Sequence, residues 1–298
     1  MNCNFSHYIF SLLIMCLSVY ALGAHKIIIQ VSPPRCLSTA SLRAWQARGD
    51  CEVMNEPFMS AFMFQDEGSR EVTNKWLRAD TPTSFKDVEQ KIVQMSHKSM
   101  VFVKEISFAL LAYLKRNTSL AQNPDVYFVF LIRNPANTVH SFYKKQHDDQ
   151  LINNFSYYVG FETCYAAFQM ISACCINKPI IVHAEDIYAQ PRQTMEWLCK
   201  EIQIPFLETM LQWNNLGNEF TGIKEWYELK RAEHTYYWHG DAIKSTGFHT
   251  PNVVCELDSL GNPTYGEIAN EKDRMICLEA YRHNKIYYDL LVQEKNKK

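Results

Sequence analysis

Glycine and proline are scarce in this sequence, with only 10 glycines and 11 prolines among 298 residues. The sequence also has 47% hydrophobic and 21% charged residues. This composition excludes disordered and collagen-like chains and predicts a globular fold with a sizeable core. An excess of either charge is also absent, because 30 basic and 32 acidic side chains give a formal net charge of −2. We therefore expect no general attraction for nucleic acid, and any bound anion must be held by a local site.

Charged side chains are missing from the amino terminus, since residues 1–25 contain no Asp, Glu, Lys or Arg. Residues 9–23 are continuously apolar, and Ala21 and Gly23 stand at the spacing of a signal-peptidase site. We interpret residues 1–23 as a signal peptide or membrane anchor and 24–298 as a single domain. This predicts membrane association through the N-terminus and a secreted, lumenal or membrane-anchored protein. The missing basic n-region leaves the alternative of a buried N-terminal element in a cytoplasmic protein.

Metal-binding cysteine patterns are absent. The sequence has ten cysteines but no C-x-x-C pair, and no histidine stands at zinc-finger spacing, so we expect no structural zinc site. Several cysteines fall in predicted strands and helices, where cysteine behaves as a small apolar residue. We predict that most of them are reduced, although their even number after the leader still allows one or two disulfides.

Predicted strands and helices alternate along the first two thirds of the chain. Strands are predicted at residues 26–31, 51–55, 101–104, 126–132 and 179–183. Helices are predicted at residues 38–48, 84–97, 106–116, 137–146, 161–174, 191–201 and 271–292. This alternation predicts an α/β fold with a parallel sheet. Between about residue 205 and the last helix the pattern is irregular and aromatic, which predicts a C-terminal cap region.

The first strand leads into a turn with the features of an anion site. Residues 32–39 (SPPRCLST) join a buried strand to a helix, where free backbone N–H groups and the helix dipole attract anions. Arg35, Ser38 and Thr39 add side-chain donors. The G-x-x-x-x-G-K-[ST] pattern of ATP-binding loops is absent, and the turn contains no glycine. An ordinary helix start with a surface arginine is the alternative.

A second candidate site follows the most apolar strand, residues 126–132. Arg133 stands at its end, and Ser141 follows eight residues later on the next helix. Ligands of open α/β sheets bind at the carboxyl ends of the strands, which favours an anion-binding role. A salt-bridged arginine and a solvated serine are the alternative.

In this order the two segments resemble the sulfotransferases that use 3′-phosphoadenosine 5′-phosphosulfate (PAPS). In that family a P-[KR]-S-G-T-T loop holds the 5′-phosphosulfate, and an R-x-P segment with a later serine grips the 3′-phosphate. The matching residues are Pro34, Arg35, Cys36, Leu37, Ser38 and Thr39, followed by Arg133, Pro135 and Ser141. Cys36 and Leu37 depart from the family's Ser-Gly.

A third match follows the last predicted strand. Residues 184–191 (AEDIYAQP) resemble the family's Y-E-D-L…P segment, and residues 198–206 resemble the end of the helix that follows it. The layout is nearest to the heparan sulfate and tyrosylprotein branches. The resemblance implies a P-loop-type three-layer fold, in which helices flank a central parallel sheet of about five strands, with an irregular C-terminal cap.

The heparan sulfate branch also implies catalytic residues. It places a Glu after the second strand and a Lys after a middle strand, where this sequence has Glu56 and Lys104. We expect Glu56 to be the general base and Lys104, with Arg35, to stabilise charge. An ion-paired or helix-capping Glu56 and a surface Lys104 are the alternatives. The histidines His140, His147 and His183 are rival bases that we expect to be structural.

In the family, a C-terminal G-x-W-K segment closes the nucleotide site. This sequence contains no exact match to that segment. Ser245, Thr246 and Gly247 are its expected replacement, and an aromatic residue nearby would stack on adenine. Core packing of these aromatics is an equally open alternative. We expect no metal requirement, because no Asp stands at a strand end to hold one.

The implied activity is in-line transfer of a sulfuryl group from PAPS to a hydroxyl or amine acceptor. A glycan, a protein tyrosine and a small alcohol all remain open as acceptors. Two alternative functions remain. The first is a non-catalytic protein that kept the fold and binds a glycan or 3′-phosphoadenosine 5′-phosphate (PAP), the product left when PAPS loses its sulfuryl group. The second is a small-molecule kinase that uses ATP. The glycine-free loop favours the first alternative, whereas the missing G-K-[ST] counts against the second.

Overall fold

A central parallel sheet of five strands organises the molecule, in the strand order β2-β3-β1-β4-β5. The computed structural model describes residues 26–64, 82–145, 154–215, 232–250 and 255–297, so the predicted leader and His147 lie outside the described residues. The strands are β1 (Ile27–Ser32), β2 (Cys51–Asn55), β3 (Met100–Ile106), β4 (Val126–Ile132) and β5 (Ile180–His183). The predicted α/β fold with a five-stranded parallel sheet is confirmed.

Helices cover both faces of this sheet. Up to β4 they are α1 (Ser38–Ala47), α2 (Pro57–Phe64), α3 (Phe85–Ser96) and α4 (Ser107–Leu114). Beyond β4 they are α5 (Pro135–Tyr143), α6 (Phe155–Val159), α7 (Phe161–Ser172), α8 (Ala184–Ala189), α9 (Pro191–Ile202), α10 (Ala232–Lys244) and α11 (Glu271–Asn296). A short 3-10 turn spans Glu208–Leu211.

The two faces carry separate hydrophobic layers. On one face Trp45 of α1 stacks on Phe102 of β3, with ring centroids 4.8 Å apart. On the other face Phe130 of β4 meets Phe168 of α7 edge to face at 5.3 Å. β1 and β4 are buried along their whole length, as expected for parallel strands covered on both sides. The central strands therefore present their carboxyl ends from a closely packed core.

The structure differs from the prediction in two regions. Residues 57–64 form α2, and the region predicted to be irregular after residue 205 contains α10. The α2 sequence, PFMSAFMF, is apolar on nearly every side and has no helical periodicity to read. β3 also extends to Ile106, two residues beyond its predicted end, which places Glu105 in the strand.

The described cysteines, eight in number, are free thiols. Within the described ranges, no helix has the length and apolar character needed to cross a bilayer.

Candidate active site

Residues from three neighbouring strands meet at the carboxyl edge of the sheet. β1 lies between β3 and β4, with Gln30 opposite Lys104 on one side and Val31 opposite Phe130 on the other. Arg133 directly follows β4. The predicted anion loop after β1 is therefore flanked by Lys104 on the β3 side and by Arg133 on the β4 side. This is the edge at which open α/β sheets bind ligands.

The backbone of the loop takes a shape suited to an anion. Arg35 has φ 65° and Leu37 has φ 70°, both in the left-handed region, whereas Cys36 between them does not have a positive φ. Alternation of left-handed and ordinary residues produces the concave nests of N–H groups that bind anions. Leu37, the N-cap of α1, also places this concavity at the positive end of a helix.

Gly160, just before α7, lets the chain pass closely behind the loop. It has φ 88°, and a Cβ added to it would lie 3.1 Å from Pro34 Cδ and 3.1 Å from Ser107 Oγ. Its carbonyl accepts a hydrogen bond from Ser107 Oγ at 2.9 Å. The proline side of the loop is thus supported by a position where a side chain would not fit without displacement.

Arg35, Arg133 and Ser141 are brought together as the sequence predicted. Arg35 Nε donates to Ser141 Oγ at 3.1 Å, and Arg133 Nη1 donates to the Arg35 carbonyl at 3.1 Å. Burial lowers the pKa of Arg35, Asp241 opposes that shift, and the charge of Arg133 adds to it. Arg133 is buried and its Nε has no partner among the described residues. Two neighbouring guanidinium groups, one with an unused donor, fit a multiply charged anionic ligand.

Lys104 and Glu56 form an ion pair at the end of β3. Lys104 is only 2% exposed, so the alternative of a surface lysine is wrong, whereas the ion-paired alternative for Glu56 is what the structure contains. The Glu56 backbone N–H donates to the Lys104 carbonyl at 2.6 Å, and Glu56 takes φ 51°. The position of the Glu56 side chain is therefore set by β3 itself.

A row of buried polar side chains surrounds Lys104. Asn55 of β2 and Gln30 of β1 stand opposite it in register, and residues in register on neighbouring strands point to the same face. Gln30 is satisfied by Ser41 Oγ at 2.6 Å, whereas Asn55 Oδ1 and Ser32 Oγ lack partners within the described part of the chain. Unpaired buried polar atoms are costly, so these groups favour a bound polar ligand above them.

Sequence reasoning missed Glu105, which lies on the opposite face of β3 and is fully buried. Its two carboxylate oxygens accept hydrogen bonds from the N–H groups of Phe58 at 2.7 Å and Ile106 at 2.8 Å. Burial, followed by the nearby charge of Glu56, raises its pKa to about 8. An acidic residue inside the apolar run MVFVKEI was the available signal. Glu105 therefore joins the starts of α2 and α4.

The remaining predicted loop residues have local roles that the contacts define. Thr39 Oγ1 lies 3.0 Å from Nδ1 of His239 on α10, and the Ser38 carbonyl accepts a hydrogen bond from Gln30 at 3.5 Å. Cys36 Sγ lies 3.7 Å from Thr138 Oγ1, and burial raises the pKa of this thiol to about 12. The Cys36 side chain is therefore a neutral thiol, and it packs beneath the backbone of the loop.

The segment Ser245, Thr246 and Gly247 is tied to the turn after α9. Trp213 donates from its backbone to the Thr246 carbonyl and from Nε1 to Ser245 Oγ, both at 3.1 Å, and Gly247 pairs with Gln212. Trp213 is buried and meets Phe248 edge to face at 5.1 Å, which agrees with the core-packing alternative for that ring. The structure does not bring this segment into hydrogen-bond contact with Arg133 or Ser141 in the described residues.

Two of the three histidines considered as rival bases, His140 and His183, have partners elsewhere, and His147 lies outside the described residues. His140 pairs with Glu267, and burial lowers its pKa. His183 lies at the end of β5 beside Tyr288, and burial lowers its pKa to about 4. Among the described residues no group of three or more His, Cys, Asp or Glu could hold a metal ion, and the expectation of no metal requirement stays a prediction.

Comparison with known proteins identifies the family. The family described as Sulfotransferase domain matches residues 26–258. The chain therefore belongs to the sulfotransferase-domain family.

Two individual proteins match the chain at less than 30% sequence identity. Branched-chain-amino-acid aminotransferase-like protein 2 of Arabidopsis thaliana is 28% identical over 222 residues, which are 74% of this chain and 36% of that protein. Branched-chain-amino-acid aminotransferase-like protein 1, also of Arabidopsis thaliana, is 26% identical over 227 residues, which are 76% of this chain and 37% of that protein. The chain thus spans about a third of the length of these curated relatives.

Solved structures with similar folds include two sulfotransferases. The sulfotransferase domain of the Synechococcus PCC 7002 olefin synthase is 16% identical with a TM-score of 0.44, and the match covers 87% of this chain and 95% of that one. A sulfotransferase from Alicyclobacillus acidocaldarius is 15% identical with a TM-score of 0.41, and the match covers 74% and 97%.

Proposed function

We propose that this protein transfers a sulfuryl group from PAPS to a hydroxyl or amine acceptor, with Glu56 as the general base. The observation that carries the proposal is the ion pair of buried Lys104 with Glu56 at the same sheet edge as the loop, where the Arg133 guanidinium contacts the Arg35 carbonyl. A glycan, a protein tyrosine or a small alcohol is the proposed class of acceptor. We also retain the proposal of a single domain over residues 24–298, exported or anchored through residues 1–23.

The donor-binding side consists of the loop and the β4 side of the edge. Residues 34–39 would hold the 5′ end of the donor, and Arg133 and Ser141 would hold its 3′-phosphate. Bound PAPS supplies an activated sulfuryl group and a phosphate leaving group. Arg35 already donates to Ser141, so its guanidinium links the two anion-binding parts of the site. The unused Arg133 Nε and the left-handed loop backbone are the donors that support this assignment. Ser245, Thr246 and Gly247 are proposed to contact the nucleoside from the α10 side.

The catalytic side consists of Lys104 and Glu56. Charge builds on oxygen atoms during in-line sulfuryl transfer, and donors placed in advance stabilise that charge most effectively. Lys104 is buried and fixed on β3, so it meets this requirement once its ammonium turns from Glu56 towards the sulfuryl oxygens. The freed Glu56 carboxylate then accepts the proton of the acceptor. General-base catalysis of this kind contributes a factor of about 10² to 10⁴.

A ligand titration followed by thermal unfolding tests the donor. PAP, ATP and ADP are added separately to the full chain, each with and without Mg²⁺. We expect a metal-independent rise in Tm with PAP that exceeds the rise with ATP, and about 2.7 kcal/mol of stabilisation at 100 times the Kd. A Mg²⁺-dependent response to ATP alone would instead favour the kinase alternative.

A matched pair of variants tests the chemistry. Glu56→Gln should retain PAP binding and lower the transfer rate by about 10² or more, because Gln cannot accept the proton. Glu52→Gln on β2, the strand that ends just before Glu56, is the control, because this side chain is exposed; it should retain full activity. Full activity of Glu56→Gln would show that Glu56 is not the base. PAP binding by a wild-type protein with no transfer to any acceptor class would favour the binding-protein alternative.

A further inference from the structure

A groove of about 330 Å³ lies between α1 and the turn that follows α9. Its walls include Arg43 and Gln46 from α1 and Thr209, Gln212, Trp213 and Asn214 from the turn. We call it the Arg43 groove. Its volume is at the lower end of the range for small-molecule sites.

Arg43 is a buried cation with few partners. The residue is 3% exposed, and its one described hydrogen bond runs from Nη2 to the Asn214 carbonyl at 2.6 Å. Nε and Nη1 have no partner among the described residues. Burial lowers the pKa of this guanidinium to about 10, and no carboxylate of the described residues is among the causes of that shift. A buried charge without a counter-charge is destabilising, so its presence calls for a reason.

Arg48, the residue that directly follows α1, provides an internal comparison. It is also buried against the turn after α9, but it donates to Asp50 Oδ2 at 3.2 Å and to the Pro205 carbonyl at 2.6 Å. The fold can therefore provide a carboxylate for an arginine in this layer, and it does so for Arg48. It does not do so for Arg43 in the described part of the chain.

The Arg43 groove is separate from the loop of the proposed donor site. Thr39, in the first turn of α1, contacts His239 of α10, whereas Arg43 lies one turn further along the helix and contacts Asn214. The other lining residues are all uncharged, namely Gln46, Ala47, Thr209, Gln212, Trp213 and Asn214. The groove therefore combines one cation with neutral polar and apolar side chains.

We propose that the Arg43 groove binds the terminal oxyanion of a small molecule, a carboxylate, phosphate or sulfate, and that Arg43 is its counter-charge. The forked guanidinium matches the paired oxygens of such groups. This site is independent of the proposed donor site and of Glu56.

Isothermal titration of the full chain with inorganic phosphate, sulfate and acetate, at constant ionic strength, tests the proposal. The background variant Arg133→Gln removes an anion contact at the loop, so that the groove can be observed by itself. We expect at least one anion to bind in this background and Arg43→Gln to weaken it about tenfold or more, because a charged hydrogen bond is lost. The preferred anion distinguishes the three chemistries. Arg116→Gln, at an exposed position on another face, controls for the change in net charge.

Thermal unfolding of the same variants without anions provides the second readout. Removal of an unpaired buried charge should leave the Tm of Arg43→Gln equal to or above that of the wild type, whereas a purely structural arginine would lower it. Equal anion affinity in Arg43→Gln and its background would overturn the proposal. The absence of measurable binding by any of the three anions would overturn it as well.

Discussion

Leu37 offers a direct test of the loop backbone. It has φ 70° where the related family has glycine, so a side chain occupies a left-handed conformation. A non-glycine residue in that region costs about 1–2 kcal/mol. Glycine gives back about 0.4–1 kcal/mol through the greater freedom of the unfolded chain. Leu37→Gly should therefore be more stable than Leu37→Ala by about 1 kcal/mol, or about 2 °C in Tm.

The comparison with alanine is essential because both variants lose every contact that the leucine side chain makes beyond its Cβ atom. Thermal and urea unfolding of the two proteins measure the difference. Gln90, exposed in the middle of α3, supplies the reference pair, in which Gly should be less stable than Ala by about 1 kcal/mol. If Leu37→Gly unfolds below Leu37→Ala, the left-handed loop and the nest inferred from it are wrong. If the order is as expected, Leu37→Gly should also retain PAP binding, because the loop keeps its shape.

Three further predictions concern the supports of the site. Gly160→Ala should lower stability by about 1–3 kcal/mol and weaken PAP binding, because the new Cβ meets Pro34 and φ is 88°; unchanged PAP affinity would mean that Gly160 does not support the loop. The folded-state pKa of Glu105 is about 8, above its unfolded value, so the folded protein binds more protons between about pH 4.5 and 8. Stability should fall as pH rises through that window, and Glu105→Gln should flatten the fall in urea titrations at several pH values; an unchanged slope would show that another group is responsible. Lys104→Met should lower the transfer rate about a hundredfold or more while Lys98→Met, at an exposed position, leaves it unchanged.

The parts of the fold that depend on local pattern were predictable. β4 is apolar at every position and is found at its predicted bounds, because a strand buried on both faces leaves that signature. The proximity of Arg35, Arg133 and Ser141 followed from the order of the motifs, because parallel strands bring the segments that follow them to the same edge of the sheet.

Features that depend on tertiary contacts were not predictable. α2 has an apolar sequence without periodicity, and its start is held by Glu105 from a strand distant in sequence. The Ser245–Gly247 segment was placed by analogy, and only the folded chain shows that Trp213 holds it. Burial of Lys104 likewise reflects the layers around β3, which no spacing reveals.

The central position of β1 has a consequence for how the protein could diversify. Arg133 contacts the loop from the β4 side, whereas the Lys104–Glu56 pair lies on the β3 side of β1. With the proposed roles of these residues, substitutions around β2 and β3 would alter which acceptor is used and leave the proposed nucleotide contacts unchanged. Substitutions around β4 and β5 would adjust the affinity for the proposed donor. The sheet thus divides the site into two halves that selection, or an engineer, can change one at a time.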